Sequence, residues 1–375
     1  MAQPATSLRD AALLLAVQNR AASLALAWSD GATAELPAIW LRDNSPAPSA
    51  RHANGQKLFD ITEIDPTVHL VAAGAEGGQV AVTFSDGHEA VFESAWLHRH
   101  AVPRPTSPRR LWGAELGRSL PVHEHAAVVD DANARRAWLS DIATLGFAML
   151  RGVPVASGTL LSVAELFGHV RETNYGRFFE VRTEPDPINL AYTPMGLSCH
   201  TDNPYRDPVP SLQLLHCLVA DNDGGESVVV DGFRAAQMLQ AESGADFDLL
   251  TRHAVPFRFA SADAVLEARA RMITLDDRGE VAEIRFNNRS IAALDLPVEV
   301  MGAFYGAYRR FAEILRRPAL EVSFKLAPGE LFIVDNRRVL HGRRAIATSG
   351  RRHLQGCYAD MDGLRSTLAV LERQA

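Results

Sequence analysis

Short apolar runs punctuated by turns characterise the first hundred positions. Ser23–Trp28 is apolar, Ser29-Asp30-Gly31 reads as a turn, and Ala34–Arg42 resumes the apolar pattern. Gln79–Phe84 alternates, Ser85-Asp86-Gly87 turns, and His88–Phe92 returns. Asp-Gly between two strand-like runs predicts a hairpin, because glycine supplies the positive φ that tight turns need. Ser45–Ala53 carries two prolines and reads as a loop. Ala11–Val17 is apolar but short, and Arg9, Asp10 and Arg20 flank it, so it predicts a helix or strand end.

The Pro- and Arg-rich stretch Arg99–Pro121 predicts a linker, with Pro103, Pro105 and Pro108 at its centre. The expected division is a small N-terminal β domain over 1–105 and a larger domain over 112–375. Beyond the linker, Ala134–Leu145 has helical spacing and stops at Gly146, a helix-ending glycine. Phe147–Leu150 reads as a strand, Thr159–Phe167 and Arg234–Ala241 as helices. Val298–Arg316 is an amphipathic helix with Phe304, Tyr308, Phe311 and Leu315 near one face. Ser323–Leu326 and Leu331–Val334 read as strands around Ala327-Pro328-Gly329-Glu330. Strands and helices do not alternate regularly, which argues against a doubly wound parallel sheet. The pattern predicts a mainly β architecture with helices decorating an antiparallel core.

Composition narrows the class. With 375 residues, 47% hydrophobic and 22% charged, the chain can bury a sizeable core and is neither collagenous nor disordered. The 38 Lys and Arg against 45 Asp and Glu leave a net charge of −7, which disfavours a nucleic-acid partner. No apolar run approaches the roughly 20 residues of a membrane helix, so no membrane partner is expected. Cys199, Cys217 and Cys357 show no CxxC spacing, which fits a reducing, cytoplasmic setting.

The richest chemistry lies in Leu197-Ser198-Cys199-His200-Thr201-Asp202-Asn203-Pro204. On an extended strand, His200 and Asp202 point to one face and can meet one ion. His341, in Val339-Leu340-His341-Gly342-Arg343, offers a third ligand. Two histidines and a carboxylate on one face leave octahedral positions open, which suits non-haem Fe(II). An HxD pair alone is common, and the chain has 13 histidines, so the pair by itself also fits a surface or packing role. Arg352, 11 residues beyond His341, completes an order that resembles the Fe(II)/2-oxoglutarate-dependent dioxygenases. There an arginine fork suits the far carboxylate of 2-oxoglutarate. Arg352–Tyr358 is expected to be a strand next to that of His341. Arg343, Arg344 and Arg351 are rivals, each expected to face solvent.

Several segments, in order, resemble the γ-butyrobetaine hydroxylase and trimethyllysine hydroxylase family. They are Ile39-Trp40-Leu41-Arg42-Asp43-Asn44, His200-Thr201-Asp202, Leu212-Gln213-Leu214-Leu215-His216-Cys217, Val229-Val230-Asp231-Gly232-Phe233, Phe286-Asn287-Asn288, Asp335-Asn336, Leu340-His341-Gly342-Arg343-Arg344, and Arg352-His353-Leu354 with Gly356 and Tyr358-Ala359-Asp360. The resemblance implies a double-stranded β-helix (jelly-roll) catalytic domain after the small β domain, and a homodimer. It implies iron on His200, Asp202 and His341, with O2 and 2-oxoglutarate as co-substrates, and Arg352 with Ser227 on the far carboxylate. Relatives carry a zinc site just after the WLRDN segment. The matching positions here are Ser45, Ala47 and Ala50, with His88 near the place of the histidine, so no structural zinc is expected.

By the same resemblance, Tyr175, Phe179, Tyr192 and Tyr358 form an aromatic cage for a trimethylammonium group, which cannot donate a hydrogen bond. Asn189 and Asn288 match positions that face the anionic end of the substrate, Asn287 is placed to support Asn288, and Tyr205 and Arg206 are within possible reach. Arg289 would suit a more highly charged head group. The expected reaction is hydroxylation of γ-butyrobetaine to carnitine, with 2-(trimethylammonio)ethylphosphonate as the alternative substrate. A non-catalytic β-helix binding protein is the competing class, and the intact set His200, Asp202, His341 and Arg352 speaks against it.

Overall fold

The computed structural model describes residues 12–102, 109–182, 195–346 and 351–374. The chain divides into two compact units, Met1–Thr106 and Ser107–Ala375. In the first unit, Leu14–Asn19, Ser23–Trp28 and Thr33–Pro37 form one antiparallel sheet, and Leu70–Glu76, Gln79–Phe84 and Glu89–Glu93 form another. Alternate residues point inward. Leu24, Leu26 and Trp28 from the first sheet share a core with Val80, Val82 and Phe84 from the second. Gly87 closes the expected hairpin at φ 81. The run Ala34–Arg42 is not one element. The strand stops at Pro37, which lacks the N–H to continue a ladder, and a helix runs over Ala38–Asp43.

Two main sheets build the second unit. The larger orders Phe179–Arg182, Arg352–Ala359, Leu212–Ala220, Leu331–Asp335, Phe147–Arg151 and Val122–Glu124, with Val170–Arg171 also pairing Arg352–Ala359. All its pairs are antiparallel except Val122–Glu124 with Phe147–Arg151. The smaller orders Leu197–His200, Val339–Arg343, Ser227–Asp231 and Val322–Phe324. Leu215, Phe332 and Leu354 from the first share a core with Val229, Val322 and Val339 from the second.

The period of two along Leu212–Ala220 decides what each residue meets. Leu212 and Leu214 pack outward against Trp138, Leu139 and Ile142 of the helix Ala132–Leu145, while Leu215 and Cys217 join the core between the sheets. The helices Gly232–Glu242, Gly244–Arg252 and Val298–Leu315 pack with Val230 and Leu340 on the other side of the smaller sheet. Gly146 ends Ala132–Leu145 in the left-handed conformation, as its position predicts.

The expected linker is shorter than its composition suggests. The helix Ser94–Ala101 takes its start, residues 103–108 lie outside the described part, and Trp112 is buried in the core of the second unit. The Trp112 indole donates to the Leu145 carbonyl at 2.7 Å, so this residue is an anchor. The hairpins Ala254–Ala260 with Val265–Arg271 and Ile273–Leu275 with Val281–Ile284, and the helix Met361–Gln374, have no counterpart in the sequence reading. Among the described residues, no helix is long and apolar enough to cross a membrane.

Candidate active site

His200 closes the strand Leu197–His200 and lies directly across from His341 in the antiparallel pairing of the smaller sheet. Gly342 lets these strands approach, since a Cβ there would sit 2.6 Å from the Leu197 carbonyl oxygen. Asp202 does not share the strand. Extended pairing ends at His200, and Asp202 occupies a bend. What turns its carboxylate back is tertiary. The Asp202 N–H donates to Asn336 Oδ1 at 2.7 Å, and Asn336 Nδ2 donates to the Asp202 carbonyl at 3.0 Å. Asn203 follows at φ 53, a conformation asparagine tolerates better than most residues.

The three side chains converge. Asp202 Oδ1 stands 3.3 Å from His200 Nε2 and 3.8 Å from His341 Nε2, and the candidate ligand atoms all lie within 4.8 Å of one another. His200 Nδ1 is 2.8 Å from the Ser198 carbonyl, which only accepts, so Nδ1 carries the proton and Nε2 offers its lone pair. Burial pushes the His341 imidazole down to about 3, against the pull of Asp202, so it is neutral and able to ligate. Burial alone would raise the Asp202 carboxyl. The donors around its second oxygen, the Tyr358 hydroxyl and the Gln213 amide, help outweigh that and hold Asp202 below the usual carboxylate range. The donor set of two imidazoles and one carboxylate fits Fe(II).

Asp202, His200 and His341 open onto a cavity between the sheets that Ser227, Arg343 and Arg352 also line. Two expectations change here. Arg352–Ala359 is not beside the strand of His341; it belongs to the larger sheet and faces the cavity from across it. Arg343 does not face solvent. It is buried, lies opposite Ser227 in register, and donates to the Met195 carbonyl at 2.7 Å. Arg344 and Arg351 are exposed and paired with Glu321 and Asp221, as expected. Burial, with the nearby Arg343, pushes the Arg352 guanidinium down to about 10. A cavity with two such cations suits a dianion.

Aromatic rings continue from the carboxylate. Tyr358 donates its hydroxyl to Asp202 Oδ2 at 2.8 Å, its ring lies 5.2 Å from Phe179, and Phe179 lies 6.0 Å from Tyr175. Gly356 makes room: a Cβ there would be 2.4 Å from the Phe179 ring. Phe259, which the sequence reading does not single out, packs 5.9 Å from Tyr175 and stacks on Tyr205 at 5.1 Å. The alternation of Val255, Phe257 and Phe259 marks an inward face, but carries no sign of a site. Tyr205 is buried, and its hydroxyl is taken up by Tyr175 and Asn203. Asn189 and Tyr192 lie outside the described residues.

Asn288 and Arg289 line a cleft beside His200. Asn288 Oδ1 accepts from the Tyr308 hydroxyl at 2.6 Å. Asn287 supports the metal-side backbone rather than Asn288, since its Nδ2 donates to the Thr201 carbonyl at 3.2 Å. The Arg206 guanidinium pairs with Asn174. Gln213, quoted above only within a motif, is buried in the cavity and donates to Asp202 Oδ2.

Residues 104–358 match the family model described as taurine catabolism dioxygenase TauD, TfdA family, and residues 15–98 match that of the γ-butyrobetaine hydroxylase-like N-terminal region. The chain belongs to the TauD/TfdA dioxygenase family, whose members use Fe(II) and 2-oxoglutarate. Among its relatives is the γ-butyrobetaine dioxygenase of Pseudomonas sp. (strain AK-1), 37% identical over 96% of each chain. The human γ-butyrobetaine dioxygenase is 31% identical over 92% of this chain and 94% of its own. The mitochondrial trimethyllysine dioxygenase of Gallus gallus is 30% identical over 90% and 83%. Among solved structures, asparagine oxygenase is similar with a TM-score of 0.47 and 21% identity, over 68% of this chain and 91% of that one.

Proposed function

We propose that this protein hydroxylates γ-butyrobetaine to carnitine. The observation that carries the reading is the run of rings Tyr175, Phe179 and Tyr358, which ends in a hydrogen bond to a candidate metal ligand. A quaternary ammonium held by aromatic faces would there lie beside the reacting centre. Relatives named γ-butyrobetaine dioxygenase support the choice of substrate. The two sheets are read as the double-stranded β-helix of a catalytic domain over 112–375, and residues 1–105 as the small β domain.

His200, Asp202 and His341 would hold iron. Arg352, with Ser227 and the added Arg343, would hold the far carboxylate of 2-oxoglutarate. Tyr175, Phe179, Tyr192 and Tyr358 would enclose the cation. When bound, iron supplies the redox chemistry that turns substrate, O2 and 2-oxoglutarate into alcohol, succinate and CO2. The chain's own part is to orient the target carbon and exclude water.

One observation favours a second substrate. Arg289 lines the cleft with Asn288, and its guanidinium makes no hydrogen bond or ion pair among the described residues. A phosphonate such as 2-(trimethylammonio)ethylphosphonate would use that cation more fully than a carboxylate. The test is succinate release by the iron-loaded protein with 2-oxoglutarate and each substrate in parallel. Faster release with γ-butyrobetaine is expected. Preference for the phosphonate would exchange the two readings, and no stimulation by either would leave a binding protein. A homodimer and a cytoplasmic location belong to the same proposal, supported by the family resemblance and by three unpaired cysteines.

A further inference from the structure

We propose that Gln213 and Tyr358 are positioning residues that hold Asp202 to one-oxygen coordination and so keep a metal position open. The two oxygens of Asp202 are treated differently. Oδ1 faces both candidate histidines, at 3.3 Å from His200 and 3.8 Å from His341. Oδ2 accepts from Gln213 Nε2 and from the Tyr358 hydroxyl, the latter at 2.8 Å. An oxygen that accepts two donors has both in-plane lone pairs engaged and is a poor second ligand. A carboxylate that chelated through both oxygens would take a position that a two-point 2-oxoglutarate and O2 need.

The orientation of Gln213 is not a free choice. Turned over, its carbonyl oxygen would face the carboxylate and repel it. In the orientation present, Gln213 Oε1 is buried without a hydrogen-bond partner among the described residues. A buried amide oxygen left unpaired costs stability, so packing alone does not explain this residue, whereas a required donor to Asp202 does. It comes from the strand Leu212–Ala220 and Tyr358 from the adjacent strand Arg352–Ala359, where the two are register partners. The larger sheet thus presents a preset pair of donors to a ligand carried next to the smaller sheet.

The inference rests on the reading of His200, Asp202 and His341 as iron ligands, not on the choice of substrate. The variants are Gln213→Met, Tyr358→Phe and the double variant. Tyr358→Phe removes one hydroxyl and keeps the ring, so it preserves the test if Gln213→Met does not fold. The anaerobic Fe(II) protein is titrated with 2-oxoglutarate, and the visible charge-transfer band of an α-keto acid chelated to iron is read. Iron content is measured separately. The expected result is near-stoichiometric iron in all proteins. The 2-oxoglutarate concentration at half-maximal band should rise about tenfold in the double variant, the size typical of losing such an outer partner, and by less in each single one. Titrations that superimpose on the parent, with iron bound, would overturn the proposal. A parent protein that takes up no iron would overturn the iron-site reading instead.

Discussion

Arg352 and Arg343 approach one cavity from opposite sheets, so their combined charge is spent on whatever enters it. Arg352 lies on the far side from Ser227 and is depressed by burial and by Arg343, so it gains most from a carboxylate. Arg352→Ala should raise the 2-oxoglutarate requirement at least about thirtyfold, the cost of losing one partner of a buried charge pair. Iron content should stay near that of the parent. An unchanged 2-oxoglutarate titration would move the role to Arg343. Arg352 was legible from its place after His341. Arg343 was not, because a sequence cannot tell which of several arginines its strand turns inward.

At the scale of elements, the strand Phe179–Arg182 is set by its partner. Phe179 stands opposite Gly356, and the absent side chain is the space its ring occupies. Gly356→Val should push the ring aside and cost about 1–3 kcal/mol of stability. It should weaken γ-butyrobetaine binding by about two- to thirtyfold, one ring's worth of cation attraction. Calorimetry with γ-butyrobetaine checks this, and equal losses of γ-butyrobetaine and 2-oxoglutarate affinity would show general collapse instead. On the neighbouring strand Leu212–Ala220, His216 is fully buried, and neither ring nitrogen has a hydrogen-bond partner among the described residues. Burial pushes it from 6.5 down to about 4. The unfolded chain therefore binds the proton first, so stability is full above about pH 6.5 and falls as the pH drops toward about 4, by roughly 2–3 kcal/mol. His216→Leu should flatten that slope between about pH 7 and 5 in urea unfolding. An unchanged slope would place the acid sensitivity elsewhere.

At the scale of the whole molecule, each unit carries its own core, and the first is expected to do without a metal. Ser45 Oγ lies 2.8 Å from His88 Nε2, so this hydrogen bond occupies one of the two ring nitrogens that could ligate zinc, while Ala50 is buried. Metal analysis of the purified protein should find no stoichiometric zinc. One tightly bound zinc that persists in His88→Ala would refute this reading of the loop. The sequence by itself determined the hairpin turns at Gly31 and Gly87, the helices Ala132–Leu145 and Val298–Leu315, the candidate ligand triad and the order of motifs. Those signals are local: turn glycines, periods of two and 3.6, and residue types that only certain chemistry needs. Tertiary structure alone decided how Asp202 turns back onto His200, since its strand has already ended and Asn336, 134 residues away, holds it. It also decided that Arg352 faces His341 from the other sheet, that Arg343 is buried, and that Gln213 reaches the carboxylate. Each depends on which strands pair and pack, and strand pairing joins residues whose separation along the chain leaves no local trace.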